Sequence, residues 1–219
     1  MFRLYDYFRS SSSFRVRIAL NLKEIEYELI HIHLLKEGGE HLQESYRRLN
    51  PQGLVPCLED TTTNTVFTQS IAIIEYLEET FPTTPLLPEN SLLRAKIRAF
   101  AQAIACEIHP LNNLRVLRYL VHTLQISEPQ KTAWYHHWLK AGFDPLEQIL
   151  NETERKGPFC FGDTPTLADV CLIPQVYNAE RFEFDLKAYP TIKAVYDHCL
   201  QHPAFIKALP ENQPAAQSS

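Results

Sequence analysis

Glycine is scarce in this chain: there are six in 219 residues, about 3% where about 7% is usual. None fall in the spacing G-x-G-x-x-G, which excludes a Rossmann dinucleotide loop, and none frame a G-x-S-x-G nucleophile elbow. The nearest approach to a phosphate loop is Gly157-Pro-Phe-Cys-Phe-Gly162-Asp163-Thr164. It has aspartate where lysine must stand, and a carboxylate repels phosphate, so we read it as a turn. No two of the five cysteines, at 57, 106, 160, 171 and 199, are spaced C-x-x-C, which gives neither a zinc knuckle nor a disulfide framework. An odd set of thiols, mostly buried, suits a reducing compartment. No apolar run nears the roughly 18 residues that span a bilayer. The formal net charge of −5 argues against nucleic acid or an anionic membrane as the main partner. The opening Met-Phe-Arg-Leu-Tyr-Asp-Tyr-Phe-Arg puts charges where a secretory signal needs an apolar stretch. We expect a cytoplasmic protein.

With 45% hydrophobic residues, the length supports one large domain or two small ones. The first eighty residues alternate strand and helix signals. Phe2 to Asp6 reads as a strand. Ser13 to Lys23 carries Phe14, Ile18 and Leu22 at helical spacing, and Tyr27 to Leu34 alternates as a strand does. Residues 39–49 are polar and helical in character. Val55 to Leu58 and Val66 to Thr68 form a hairpin around Thr61-Thr62-Thr63-Asn64, and Ser70 opens a helix that Pro82 stops. The order β-α-β-α-β-β-α predicts two parallel strands and then an antiparallel pair. Pro56 inside a strand implies an edge, a bulge or a cis bond.

After the proline-rich linker 82–90 only helices are expected. Leu93 to Leu117 reads as one long helix kinked at Pro110. Ser127-Glu-Pro-Gln130 and Thr166-Leu-Ala-Asp169 are capping patterns that open the next two, the first running towards Arg155. Shorter helices start at Tyr189-Pro190 and His202-Pro203. The expected architecture is an α/β domain over 1–81, the linker, an all-α domain over 91–212, and a polar tail over 213–219.

The densest polar cluster, Arg9-Ser10-Ser11-Ser12-Ser13, lies between the first strand and the first helix. One of its serines suffices to cap that helix. The same place, a strand end opening onto a helix N-terminus, also favours an anion, and ligands of open α/β sheets bind there.

Ser10-Ser11-Ser12-Ser13-Phe14-Arg15-Val16-Arg17-Ile18-Ala19-Leu20 resembles the signature of the zeta-class glutathione transferases. That family includes the maleylacetoacetate isomerases of tyrosine and phenylalanine breakdown. The resemblance continues through Asn50-Pro51, Val55-Pro56, Gln69-Ser70 and His109-Pro110-Leu111-Asn112-Asn113. It ends with Gly162-Asp163, Thr166-Leu167-Ala168-Asp169 and Asn178-Ala179-Glu180-Arg181. It implies a thioredoxin-like glutathione-binding domain followed by a helical substrate domain. It further implies a cis Pro56, a Val55 backbone pairing with the cysteinyl part of glutathione, and Gln69 and Ser70 on the γ-glutamyl end. His41 matches a contact to the glycyl end, although by itself it is an ordinary loop histidine. Ser10, Ser11, Ser12, Ser13, Arg15, Pro56, His109 and Asn113 complete the implied glutathione site.

Ser10 matches the family's activating hydroxyl, with Ser12 beside it as a second catalytic candidate. Most zeta enzymes read Ser-Ser-Cys, and Ser12 departs from that pattern. A hydroxyl forms no mixed disulfide, so thiol exchange at this loop is excluded, whereas isomerisation needs only the thiolate of glutathione. The implied substrate is a small maleyl dicarboxylate, with Arg9, Arg115 and Arg181 as candidate carboxylate holders or, alternatively, structural ion-pair partners. Maleylpyruvate isomerisation and transfer to small α-halo acids are the neighbouring activities. A non-catalytic interaction module and a broad conjugating enzyme are the other readings. The family also implies a homodimer. No metal is expected: His31-x-His33 and His136-His137 do not supply the three or four converging ligands that zinc needs.

Overall fold

Phe2–Asp6 forms β1, and its inward residues Phe2, Leu4 and Asp6 alternate with more exposed ones, as the period of a strand requires. A computed structural model describes residues 1–153 and 157–216 of the chain. Next come α1 (Ser11–Leu22), β2 (Tyr27–His31), α2 (Glu44–Arg47), β3 (Cys57–Asp60), β4 (Thr65–Thr68) and α3 (Ser70–Thr80). The strands make one sheet in the order β2-β1-β3-β4. β1 and β2 run parallel and β3 and β4 antiparallel, as the element order predicts, and β3 also pairs antiparallel with β1. This four-stranded mixed sheet with its helices, followed by an all-helical stretch, is the expected α/β-then-α architecture.

Several boundaries differ from the expectation. β2 stops at His31 rather than Leu34, because the His33 ring turns back to accept the Leu35 and Lys36 N–H groups at 3.0 and 2.9 Å. Residues 39–49 do not form one helix. They divide into the 3-10 turn Glu40–Leu42 and the four-residue α2. β3 begins only after Pro56, which has no N–H to give a ladder. The Val55–Pro56 bond is cis.

α1 is buried around most of its circumference, not only along the Phe14, Ile18 and Leu22 stripe. It packs on α3 and on α9 (Pro203–Ala208). Arg17, fully enclosed, explains part of this. Its guanidinium pairs with Asp6 at 2.6 Å and donates to the carbonyls of Phe8 and Ala208, both at 3.0 Å. The last helix therefore belongs with the first compact unit, Met1–Leu86 and the chain from Gln201 on, although its place in the sequence suggested the helical domain. Gln213, the first residue of the polar tail, is buried and donates to the carbonyls of Lys207 and Leu209. Residues 217–219 of that tail lie outside the described residues.

The second unit, Leu87–Leu200, contains α4 (Ser91–Gln102), α5 (Leu114–His122), α6 (Glu128–Glu152), α7 (Leu167–Arg181) and α8 (Pro190–Cys199). The expected long helix is broken. α4 passes into a π-helical stretch, Ala103–Ile108, and Asn113 caps a new helix by accepting the Arg115 N–H at 3.1 Å. Gly142 of α6 meets that π turn closely: a Cβ there would clash with the Ile108 side chain. The Ser127 capping box forms as expected. The end of α6 near Arg155 lies outside the described residues. α7 is the buried centre of the unit, from Leu167 to Val176. Asp169 closes its capping box, accepting from the Cys160 and Thr166 N–H groups at 2.8 Å and from Thr166 Oγ1 at 2.9 Å. Burial pushes the Asp169 carboxyl upward in pKa against the pull of these donors. Gly157 to Thr164 forms a tight turn closed by Phe159 and Gly162. Trp134 and Trp138 are half-buried rather than core residues. Among the described residues no helix is long and apolar enough to cross a membrane.

Candidate functional site

Ser10 lies between Tyr7, whose carbonyl its N–H reaches, and the first turn of α1. Its extended backbone makes it the N-cap, and its Oγ accepts the Ser13 N–H at 3.3 Å. Ser10 is half-buried. Ser12 Oγ lies 3.0 Å from Ser10 Oγ and donates to the Val55 carbonyl at 3.0 Å. Ser10, Ser12 and Val55 are thus brought together across 43 residues of sequence. Ser11 is buried. Ser13 is fully enclosed, and its backbone N–H is held by the Ser10 hydroxyl. Arg9 is exposed, its guanidinium 4.9 Å above the Phe8 ring.

The second cluster forms at the start of α3. Gln69 holds φ at +67°, a left-handed conformation that costs a non-glycine residue of order 1–3 kcal/mol. Its amide donates to Gln52 Oε1 at 2.7 Å. Ser70 follows as the first helical residue, and buried Arg15 reaches its Oγ at 3.5 Å. Arg15 and Ser70 are thus brought together from α1 and α3. Neither α1 nor α3 has an acidic side chain in its first turn. Two helix N-termini without a neighbouring carboxylate then stand in one unit, each with a hydroxyl, an arrangement that favours anions.

Loop 50–56 joins the two clusters, with Val55 on Ser12 and Gln52 on Gln69. Its supports were not singled out in the sequence. The Tyr46 hydroxyl and the Asn50 amide both donate to the Leu54 carbonyl, at 2.7 and 2.8 Å. Burial pushes the Tyr46 phenol well above its usual range, so it stays a donor. Burial likewise raises the Cys57 thiol. Only the Asn50-Pro51 pair was visible as a motif; Tyr46 gave no local signal. Gly53 has φ +60°, and a Cβ there would lie 3.1 Å from the His41 carbonyl oxygen. His41, on its 3-10 turn, is buried. Pro56 is buried and Val55 half-buried.

The remaining candidates lie in the second unit. His109 is half-buried in the turn after the π helix. Asn113 uses its side chain to cap α5, and Arg115 is exposed in the first turn of that helix. Arg181 is exposed at the end of α7 and donates to Asn178 Oδ1 at 3.1 Å. Among the described residues no three His, Cys, Asp or Glu side chains are placed to hold a metal ion.

Residues 9–80 match the glutathione S-transferase N-terminal domain family, and residues 132–202 match its C-terminal domain family. A Vibrio cholerae protein named probable maleylacetoacetate isomerase is 48% identical over 213 residues, 97% of each chain. The holo structure of a bacterial maleyl pyruvate isomerase, a zeta-class glutathione S-transferase, is similar with a TM-score of 0.93. The two share 48% identity over 97% of this chain and 98% of that one. The Anaeromyxobacter dehalogenans maleylacetoacetate isomerase, solved with dicarboxyethyl glutathione and citrate in its active site, gives a TM-score of 0.85. It is 37% identical over 99% of this chain and 97% of its own.

Proposed function

Because the chain belongs to the zeta-class glutathione transferase and maleylacetoacetate isomerase family, we infer that it is a glutathione-dependent cis–trans isomerase converting maleylacetoacetate to fumarylacetoacetate. Among its own residues, the observation that supports this reading most is the pair of hydroxyl-bearing helix N-termini, Ser10 before α1 and Ser70 in α3, with no acid in either first turn. Bound glutathione supplies a thiolate that adds to the cis double bond and leaves after rotation about the new single bond.

The chain's part is to make and hold that thiolate. A thiol of pKa about 8.5 is only about 3% ionised at pH 7. One hydrogen bond to a charged acceptor is worth about 1.5–3 kcal/mol, or one to two pKa units. Ser10, aided by the α1 N-terminus, is placed to donate it. Ser70 and Gln69 receive the γ-glutamyl carboxylate, the Val55 backbone the cysteinyl part, and His41 the glycyl end. Arg9 serves as a holder of substrate carboxylate, and Arg115 and Arg181 are the candidates from the helical unit, with His109 and Asn113 assigned to glutathione. The intact set of Ser10, Gln69 and Ser70 speaks against a module that only binds partners. The proposed setting is a homodimer in the cytoplasm, where a chain whose five cysteines remain thiols is at home.

The holo maleyl pyruvate isomerase, at 48% identity, keeps maleylpyruvate as the second substrate. Initial rates with the two maleyl compounds at equal glutathione separate them. We expect the higher kcat/KM on maleylacetoacetate. A higher value on maleylpyruvate reassigns the substrate, and no turnover of either overturns the reading.

A further inference from the structure

The Ser10 hydroxyl has a second hydroxyl at its back. Ser12 Oγ donates to the Val55 carbonyl, and a carbonyl has no proton to return. The single Ser12 proton is used there, so the 3.0 Å contact between the two serines is made with the proton of Ser10. The order of donation runs from Ser10 to Ser12 to the Val55 oxygen. Ser10 Oγ meanwhile accepts the Ser13 N–H.

An anion presented to Ser10 reverses the preference. A hydrogen bond to a charged acceptor is roughly twice as strong as one between neutral groups. Giving the Ser10 proton to a thiolate therefore outweighs giving it to Ser12. Ser12 can then turn its O–H from Val55 to Ser10, a rotation that moves no heavy atom. Ser10 would accept from two donors, Ser13 N–H and Ser12 O–H, and each polarises the O–H that Ser10 donates onward. No bond between heavy atoms forms or breaks, and no proton leaves its oxygen.

We propose that Ser12 is a positioning residue for Ser10: a reversible hydroxyl relay that parks on the Val55 carbonyl and, when turned round, makes Ser10 a stronger donor to the thiolate of glutathione. The proposal rests on the reading that Ser10 meets that thiolate. It gives a role to the one position where the chain departs from Ser-Ser-Cys. A cysteine there would offer only a weak S–H donor, whereas a second serine offers a strong one.

The test reads the ionisation of bound glutathione from its ultraviolet thiolate absorbance against pH, in wild type, Ser12→Ala and Ser12→Thr. Affinity for S-methylglutathione, which has no thiol proton, is measured alongside. Ser12→Ala is expected to raise the bound thiol's pKa by about half to one unit, a roughly three- to tenfold loss of thiolate below that pKa. Ser12→Thr, which keeps the hydroxyl, stays close to wild type, and S-methylglutathione affinity changes less than about twofold in either variant. An unchanged thiol pKa in Ser12→Ala overturns the relay. So does a lowered one, which would mean that Ser12 only competes for the Ser10 proton. Loss of S-methylglutathione binding also overturns it, since Ser12 would then be supporting the pocket. A wild type that binds glutathione without lowering its thiol pKa overturns the reading of Ser10 itself, and the relay with it.

Discussion

Replacing Ser10 with alanine is expected to lower kcat/KM at pH 7 by roughly 10- to 100-fold. The figure follows from the loss of one charge-assisted hydrogen bond of about 1.5–3 kcal/mol. The loss has a direction in pH. Without its donor, the bound thiol returns towards an ordinary pKa of about 8.5. The variant should therefore gain on wild type as pH rises through that value and the thiol ionises unaided. A defect that stays constant from pH 6 to 9 would contradict a role in ionisation. Because Ser10 is also the N-cap of α1, the same substitution should cost about 1 kcal/mol of stability. Urea unfolding separates this cost from the kinetic one. Full activity in Ser10→Ala would move the catalytic role to a neighbouring hydroxyl.

The largest stability effect is expected at Arg17. Its guanidinium is shut off from water, pairs with Asp6 and ties down the carbonyls of Phe8 and Ala208. Arg17→Leu would strand a buried carboxylate and two carbonyls. Removing one partner of a buried pair costs about 3–5 kcal/mol, a large share of a total that is usually 5–15 kcal/mol. The double variant Asp6→Leu/Arg17→Leu should recover a good part, because the uncompensated charge is gone. Denaturant midpoints measure both. A single-variant cost under about 1 kcal/mol would contradict this account of α1. The Phe8 carbonyl lies two residues before Ser10, so a surviving Arg17→Leu protein should also bind glutathione less well.

The legible parts of the fold are those with local causes. The strand of alternating Phe2, Leu4 and Asp6, and the capping boxes at Ser127 and Thr166, are written within a few residues of where they act. The parallel pair and the hairpin were also legible, since a crossover and a tight turn leave few alternatives, but the order of the strands in the sheet was not. What could not be read depends on partners far along the chain. Arg15 and Arg17 look like surface residues of a helix until Ser70, 55 residues on, and Ala208, 191 residues on, supply their acceptors. The return of α9 to α1 belongs to the same class. So does the break at residues 109–113, where Pro110 announced a disturbance but not that Asn113 would begin a new helix.

The site shows the same division. The serine run and Gln69-Ser70 were visible as motifs, and the structure adds the contacts among them. Ser13 is enclosed, and Arg15 reaches Ser70 from within the fold. Gln52 and Tyr46 gave no signal, because their work is to hold loop 50–56 by side-chain contacts that only the fold brings about. Ser12 was visible as a missing cysteine. Its bond to Val55 was not.

The central claim is that this chain uses glutathione as a regenerated thiolate catalyst. The most direct measurement follows maleylacetoacetate to completion with glutathione at about one-hundredth of the substrate concentration, counting free glutathione before and after. The account predicts complete conversion to fumarylacetoacetate with the glutathione recovered. Conversion that stops when the glutathione is consumed, or that proceeds equally well without it, would contradict the account.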